Sequence, residues 1–287
     1  MLQSLDRTAL RKALRRFLEE DIGRGDITTL ALAPADQSAV GHFVAKMPLV
    51  VAGVEIAIEA LRLLDDGLVA EVWHGDGESL GEGGRLATVR GRARALLSGE
   101  RVATNLLQRL SGIATLTRRF VDAVQGTHAR ILDTRKTTPG LRALEKYAVT
   151  LGGGMNHRLG LDNAILIKDN HVKIAGGIRA AIDAARSANW QTQQCEVEVT
   201  NLDELKEALT CGVEAVLLDN MSPALVRKAV KLIRAQPAGK RIVIEASGGM
   251  TLENVREFSE AGVDQISVGA LTHSAPAIDI SFEIEPS

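Results

Sequence analysis

Aromatic side chains make up only 3% of the 287 residues: five Phe, two Trp and one Tyr. So few stacking platforms exclude single-stranded nucleic acid as the main ligand. A formal net charge of −2 and a pI near 6.3 argue against general nucleic-acid affinity. Only two cysteines are present, Cys195 and Cys211. They cannot build a disulfide framework and fit a reducing compartment, with the cytoplasm expected. Long hydrophobic runs are missing as well. The most apolar stretch, PLVVAGVEIAIEALRLL (48–64), is interrupted by Glu55, Glu59 and Arg62, so no membrane span is expected. The opening residues, MLQSLDRTALRKALRRF, carry no apolar signal-peptide core.

What is present is ordinary in bulk: 45% hydrophobic and 24% charged residues, enough for one large α/β domain or two smaller ones. Asp6 is placed to cap a helix whose apolar face is Ala9, Leu10, Ala13, Leu14, Phe17 and Leu18, ending at Gly23. The acidic residues of EEDIGRGDITT (19–29) read as a helix end followed by Asp-capped turns. Strands are predicted over 38–47, 68–74 and 85–89, with a helix over 54–64 and a glycine-rich hairpin, GDGESLGEGG (75–84), between them. No helix opens on those glycines, so they are turn formers and not a phosphate loop. Residues 93–124 are helical in pattern, with a break or bend expected at Gly112. Arg101, Asn105 and Arg109 recur every four residues, which on spacing alone reads as an exposed polar face.

The pattern then changes to alternating short strands and helices. Strands are predicted at 129–132, 164–167, 195–199, 215–218, 241–244 and 265–268. Helices are predicted near 140–150, 177–188, 202–210, 223–235 and 252–261. Apolar runs such as AVLL and IVI suit strands buried on both faces, and six β/α units imply a (β/α) barrel or a doubly wound sheet. Each strand ends polar: Asp133, Thr134, Arg135 and Lys136 after the first, Lys168 after the second, Glu196 and Glu198 within the third, Asp219 after the fourth, Glu245 and Ser247 after the fifth, and Ser267 and Gly269 at the last. In a parallel barrel these ends share one rim, where active sites are built.

Residues 131–173 concentrate cations: Arg135, Lys136, Arg142, Lys146, Arg158, Lys168 and Lys173, with His157 and His171 among them and a triple glycine at 152–154. In a slightly acidic chain this clustering points to a pocket for a small, highly charged anion. Glu198 and Asp219 offer hard oxygen ligands for Mg²⁺; pairing with Lys136 and Lys168 as a structural ion network is the alternative. His157 and His171 are too far apart to form a helical zinc pair. Ser247, Gly248 and Gly249, with Val268, Gly269 and Ala270, resemble the loops that hold one phosphate in barrel enzymes.

Several segments together are similar to the quinolinate phosphoribosyltransferase family: DIGRGDITT (21–29), LLQRLSGIATLTRRFV (106–121), DTRKTTPGLRALEKYAV (133–149), GGGMNHRLGL (152–161), LIKDNHV (166–172), EVEV (196–199), LLDN (217–220), EASGG (245–249) and VDQISVGALTHS (263–274). They cover nearly the whole chain in order. Asn163 departs from the pattern, where an acidic residue is expected. The resemblance implies an N-terminal open α/β sandwich over 1–110, an incomplete type II phosphoribosyltransferase-like α/β barrel over 111–270, and a tail, 271–287, that returns to the first domain. It implies transfer of phosphoribosyl from 5-phosphoribosyl 1-diphosphate to quinolinate with decarboxylation, in NAD biosynthesis, with Mg²⁺.

The resemblance also assigns residues. Arg135, Arg158 and His157 would hold quinolinate, Thr134 would be a further substrate-binding residue, and Arg101 would reach in from the partner of a homodimer, alone or within a larger assembly. Lys136 and Lys168 would stand where the two substrates meet, Glu198 and Asp219 at the ribose and Mg²⁺, and the two glycine loops at the 5′-phosphate. Arg142, Lys146 and Lys173 would be supporting or surface charges. Two other readings are an aldolase with Lys136 or Lys168 as a Schiff base and a non-catalytic anion-binding protein, and a relative acting on another acid is a third.

Overall fold

A computed structural model of the chain describes residues 6–188 and 195–287. The chain divides into two compact units: Met1–Leu116 with Ala143–Gly152 and Ala275–Ser287, and Thr117–Arg142 with Gly153–Ser274.

In the first unit, the Asp6 carboxylate accepts the N–H groups of Thr8 and Ala9 and starts helix α1, Arg7–Ile22. Its buried stripe is narrower than the predicted face: Leu10, Leu14 and Leu18, each one turn from the next. Asp26 caps α2, Ile27–Leu32, by accepting from the Thr29 N–H at 2.9 Å. Strand β1 (Ser38–Ala45), the short β2 (Leu49–Val50), helix α3 (Val54–Arg62), β3 (Val69–Val72), the short β4 (Ser79–Leu80) and β5 (Arg85–Arg92) follow. The glycine-rich hairpin carries β4, which pairs with β2. Asp76 in that hairpin accepts the N–H groups of Gly53 and Val54 at the start of α3, supplying the cap that Gly53 lacks.

Helix α4, Ala93–Ala123, is unbroken. The expected break at Gly112 is therefore corrected. Glycine is needed there because a Cβ would meet the carbonyl of Pro276, so the residue permits a close backbone approach and not a bend. The polar face read from Arg101, Asn105 and Arg109 is also not uniform. Arg109 donates to the fully buried Glu145 at 2.8 Å and to the Ala275 carbonyl at 2.9 Å, while Arg101 and Asn105 are exposed.

The chain continues through β6 (Arg130–Leu132), α5 (Arg142–Leu151), β7 (Ile165–Ile167), α6 (Asp169–Ala175), α7 (Ile178–Ser187), β8 (Cys195–Val199), α8 (Leu202–Thr210), β9 (Ala215–Asp219), α9 (Pro223–Arg234), β10 (Val243–Ser247), α10 (Val255–Glu260), β11 (Gln265–Ser267), α11 (Ala270–His273) and β12 (Ile280–Pro286). Helix α5 belongs almost entirely to the first unit, where Lys146 is buried and the Tyr147 hydroxyl donates to Asp76 at 2.7 Å. A single cut between 110 and 111 misses this excursion, because the apolar face of α5 finds its core in the first unit. Strand β12 pairs antiparallel with β1, giving a four-stranded sheet ordered β12-β1-β5-β3 over a core that includes Phe43, Leu61 and Leu96.

The second unit is a six-stranded sheet ordered β6-β11-β10-β9-β8-β7, with every pairing parallel. Successive strands are neighbours and the first lies beside the last, which is barrel order; a doubly wound sheet reverses direction at a switch point. Among the described residues no pairing joins β6 to β7, so the barrel is incomplete. Central strands are apolar on both faces, with Val197, Val216, Leu218, Ile244 and Ile266 buried. Each such burial contributes about 1.5–3 kcal/mol. Among the described residues no helix is long and apolar enough to cross a membrane.

Candidate active site

The parallel strands place their C-terminal ends at one end of the sheet, and a cavity of about 520 Å³ opens there. Second-unit residues alone line it. Of the residues singled out from sequence, Thr134, Arg135, Lys136, His157, Arg158, Lys168, Asp219, Ser247, Gly248, Gly249, Gly269 and Ala270 line the cavity. Arg101, Glu198 and Val268 do not.

The cationic wall begins after β6. The Thr134 hydroxyl accepts the Lys136 N–H at 3.0 Å, tightening the turn that projects Arg135 and Lys136. Arg142 supports that turn from below, donating to the Thr137 hydroxyl at 2.9 Å and to the Arg135 carbonyl at 3.4 Å. Arg135 keeps a buried Nε without a hydrogen-bond partner, a donor that an anionic ligand would satisfy. Arg158 donates to the Ala164 carbonyl at 2.7 Å. Burial, then the neighbouring Arg135 charge, lowers the proton affinity of Arg158, so two like charges are held together awaiting a counter-ion. Asn163 accepts the Gly160 N–H at 2.7 Å, a bond that an aspartate oxygen makes equally well.

Lys168 ends β7 and opens α6, a helix not expected from sequence. His171 stabilises that start: its Nδ1 accepts the Lys168 N–H at 2.9 Å, so this histidine is a capping residue. The Lys168 ammonium donates to the Glu198 carboxylate. Glu198 is buried and does not itself line the cavity. The ion network weighed as an alternative from sequence is thus present at this pair. Lys173 pairs with Asp169 at 3.0 Å on the exposed face of α6.

Asp219 and the loop after β10 complete the lining. Burial, then the charge of Glu198, raises the proton affinity of Asp219. Asn220, in the left-handed region at φ 51°, donates its amide to Asp219 at 2.6 Å. Gly248 has φ 98°, and a Cβ there would meet the Asn220 side chain, so the glycine brings the loop against the carboxylate strand. Helix α10 starts at Val255, later than expected. Thr251 and Asn254 first form a turn, with the Thr251 N–H donating to Asn254 at 2.9 Å. Val268 is corrected as a phosphate contact: it is fully buried and its N–H is already given to the Leu132 carbonyl at 2.9 Å.

Sequence reading placed Glu245 and Ser267 at strand ends without a role and did not single out His273. Strand β10 extends to Ser247, so Glu245 lies inside it and points into the cavity wall. It accepts from the Ser267 hydroxyl and faces His157. Burial, then the charge of Glu196, pushes the Glu245 carboxyl up to about 7. His273 lines the cavity one turn beyond Gly269. A Cβ on Gly269 would lie 3.1 Å from both the His273 imidazole and the Lys136 side chain, so this glycine lets the two side chains converge. The spacing of Gly269 and His273 in VGALTHS was the available signal.

A wall of guanidinium and ammonium groups facing a carboxylate and a narrow glycine loop suits the transfer of a phosphorylated sugar to an acidic acceptor. Fold and cavity together define a barrel protein with an anion-binding site at the C-terminal strand ends. The family model described as "Quinolinate phosphoribosyl transferase, C-terminal domain" matches residues 113–283, and its N-terminal counterpart matches 26–111. The chain belongs to the quinolinate phosphoribosyl transferase family. It is 46% identical over 275 residues to the probable nicotinate-nucleotide pyrophosphorylase [carboxylating] of Bacillus subtilis, covering 96% of this chain and 93% of that one. It is 45% identical over 287 residues to the Mycobacterium leprae protein named nicotinate-nucleotide pyrophosphorylase [carboxylating], covering 99% and 100%. The crystal structure of NadC from Streptococcus pyogenes superposes with a TM-score of 0.93 at 36% identity, over 99% of both chains.

Proposed function

We propose that this family member transfers phosphoribosyl from 5-phosphoribosyl 1-diphosphate to quinolinate with loss of one carboxylate. The products are nicotinate mononucleotide, diphosphate and CO₂, a step of NAD biosynthesis. The observation that carries this reading is the closeness of Arg135 and Arg158 in a cavity that Asp219 and Ser247–Gly249 also line. A dicarboxylate needs two planar donor forks, and quinolinate brings two carboxylates. The relatives' printed names cover both directions of this chemistry: carboxylating pyrophosphorylase in Bacillus subtilis and decarboxylating quinolinate phosphoribosyltransferase in Nicotiana tabacum.

Each side of the cavity then has a task. Arg135 and Arg158 bind the carboxylates, and Thr134 shapes the turn that carries Arg135. Lys136 and Lys168 face the diphosphate leaving group and the acid together. Asp219 anchors the ribose, Glu198 acts with it through Lys168, and Ser247, Gly248, Gly249, Gly269 and Ala270 receive the 5′-phosphate. Loss of diphosphate leaves a positive ribosyl centre, which the Asp219 carboxylate favours. Ribosylation makes the ring nitrogen cationic, and that charge stabilises the electron pair left when CO₂ departs. The protein therefore gains most by holding the two substrates in line.

Asp219, at the cavity, and Glu198, held behind it by Lys168, are the carboxylates that would hold Mg²⁺ directly or through water. When bound, Mg²⁺ would neutralise charge growing on the diphosphate. A homodimer with Arg101 supplied across the interface completes the reading. Arg101 is exposed, with its neighbour Glu100 3.6 Å away, and the exposed Ile27 and Leu32 on α2 supply apolar contact surface. The reducing cytoplasm suits the free Cys195 and Cys211.

Titration calorimetry of Arg135→Ala tests the acid site. Quinolinate affinity should fall at least about thirtyfold, close to 2 kcal/mol, while the phosphoribosyl donor binds as before. Unchanged quinolinate affinity would overturn the assignment.

A further inference from the structure

We propose that Glu245 supplies the proton that replaces the departing carboxyl group on the pyridine ring. This rests on the reaction proposed above and deepens it by naming the acid that completes it.

The geometry begins at His157. Its Nδ1 accepts the Arg158 N–H at 2.7 Å, so the ring hydrogen sits on Nε2. That nitrogen faces two carboxylates, Glu196 at 3.4 Å and Glu245 at 3.6 Å. One atom from each of the three residues lies within 4.8 Å of the others. A metal bound by this trio would need Nε2 bare, and the bond at Nδ1 keeps it protonated. A neutral imidazole offers no charge to offset two carboxylates held in so small a volume. The second proton resides where charge is most costly, at Glu245, which is 1% exposed against 9% for Glu196.

Glu245 is also placed for the task. It lines the same cavity as Arg158 and His157, on the side proposed to hold the acid. The groups that act on it are known. Burial, then Glu196, favours its protonated form, while the Ser267 hydroxyl and Lys168 favour its anion. Ser267 donates to one oxygen and the His157 Nε2–H faces the other, so both donors are in place to receive the charge when the proton leaves.

The step balances. The bond from ring carbon to carboxylate breaks, its electron pair stays on carbon beside the cationic nitrogen, and CO₂ leaves. The Glu245 O–H bond then breaks, its proton forms the new C–H bond with that pair, and Glu245 becomes a carboxylate. Solvent returns a proton before the next turnover. If this proton is not delivered, the carbanion recaptures CO₂ and the ribosylated diacid accumulates.

Single turnovers of Glu245→Gln, with diphosphate and nicotinate mononucleotide timed separately, test the proposal. Diphosphate should appear at the wild-type rate, while mononucleotide forms about 10²-fold more slowly. Mononucleotide formation at the wild-type rate overturns it, as does an equal fall in both products, which marks a merely structural residue. Ser267→Ala provides a second test that does not need the glutamine variant to fold. Removing a donor to the Glu245 anion should shift the alkaline limb of kcat to higher pH, and an unmoved limb overturns the proposal. Wild-type protein that releases no quinolinate-dependent diphosphate removes the parent reaction as well. A wild-type enzyme that works beside an unimpaired glutamine variant removes only the role of Glu245.

Discussion

The Lys168 ammonium is bonded to the buried Glu198 carboxylate at the mouth of the barrel. The pair ties a residue of the cationic wall to one of the acidic strands. Lys168→Ala should therefore lower kcat by about 10²-fold or more, because the charge proposed to face the leaving group is lost and Glu198 is released from its position. The stability cost should be about 1–2 kcal/mol, below that of a fully buried pair, because Lys168 is 44% exposed and solvent screens it. Steady-state kinetics beside urea unfolding separates the two effects. A variant with normal kcat would place the lysine outside the reaction.

The proposed partner arginine makes a different kind of prediction. Arg101→Ala and Lys136→Ala chains should each be inactive alone. Mixed under exchanging conditions, they should regain part of the wild-type activity, since a heterodimer assembles one intact site. Verified heterodimers without activity would contradict a shared site.

Much of this was legible in the chain. The alternation of apolar runs with polar strand ends located all six barrel strands and most of the cavity lining, because fully buried parallel strands have a distinctive composition. Arg135, Lys136, Arg158 and Lys168 stood out as cations concentrated in an acidic chain. Three features were not legible. Glu245 read as the start of a loop because a buried charge inside a strand violates the usual pattern, and only its neighbours Ser267, His157 and Glu196 explain it. The unbroken α4 was hidden by Gly112, whose need for space comes from Pro276, more than 160 residues away in sequence. The place of α5 depended on which core its apolar face joins, which local periodicity does not encode.

Glu245 also links stability to pH. Its carboxyl is raised in the folded protein from 4.5 to about 7, so the folded state retains a proton that the unfolded chain releases earlier. Its stabilising contribution is full below pH 4.5 and is lost as pH rises through about 7, up to about 3 kcal/mol. Glu245→Gln keeps the neutral shape and cannot ionise. Melting curves from pH 5 to 8 should show the wild type losing more stability than the variant across this window. Parallel curves would contradict a retained proton.

The most direct measurement follows the carboxylate itself. The protein is incubated with Mg²⁺, 5-phosphoribosyl 1-diphosphate and quinolinate labelled in the carboxyl group next to the ring nitrogen. The account predicts labelled CO₂ and nicotinate mononucleotide in equal amounts, with diphosphate, and no mononucleotide when nicotinate replaces quinolinate. Mononucleotide from nicotinate, or no labelled CO₂ from quinolinate, would contradict it.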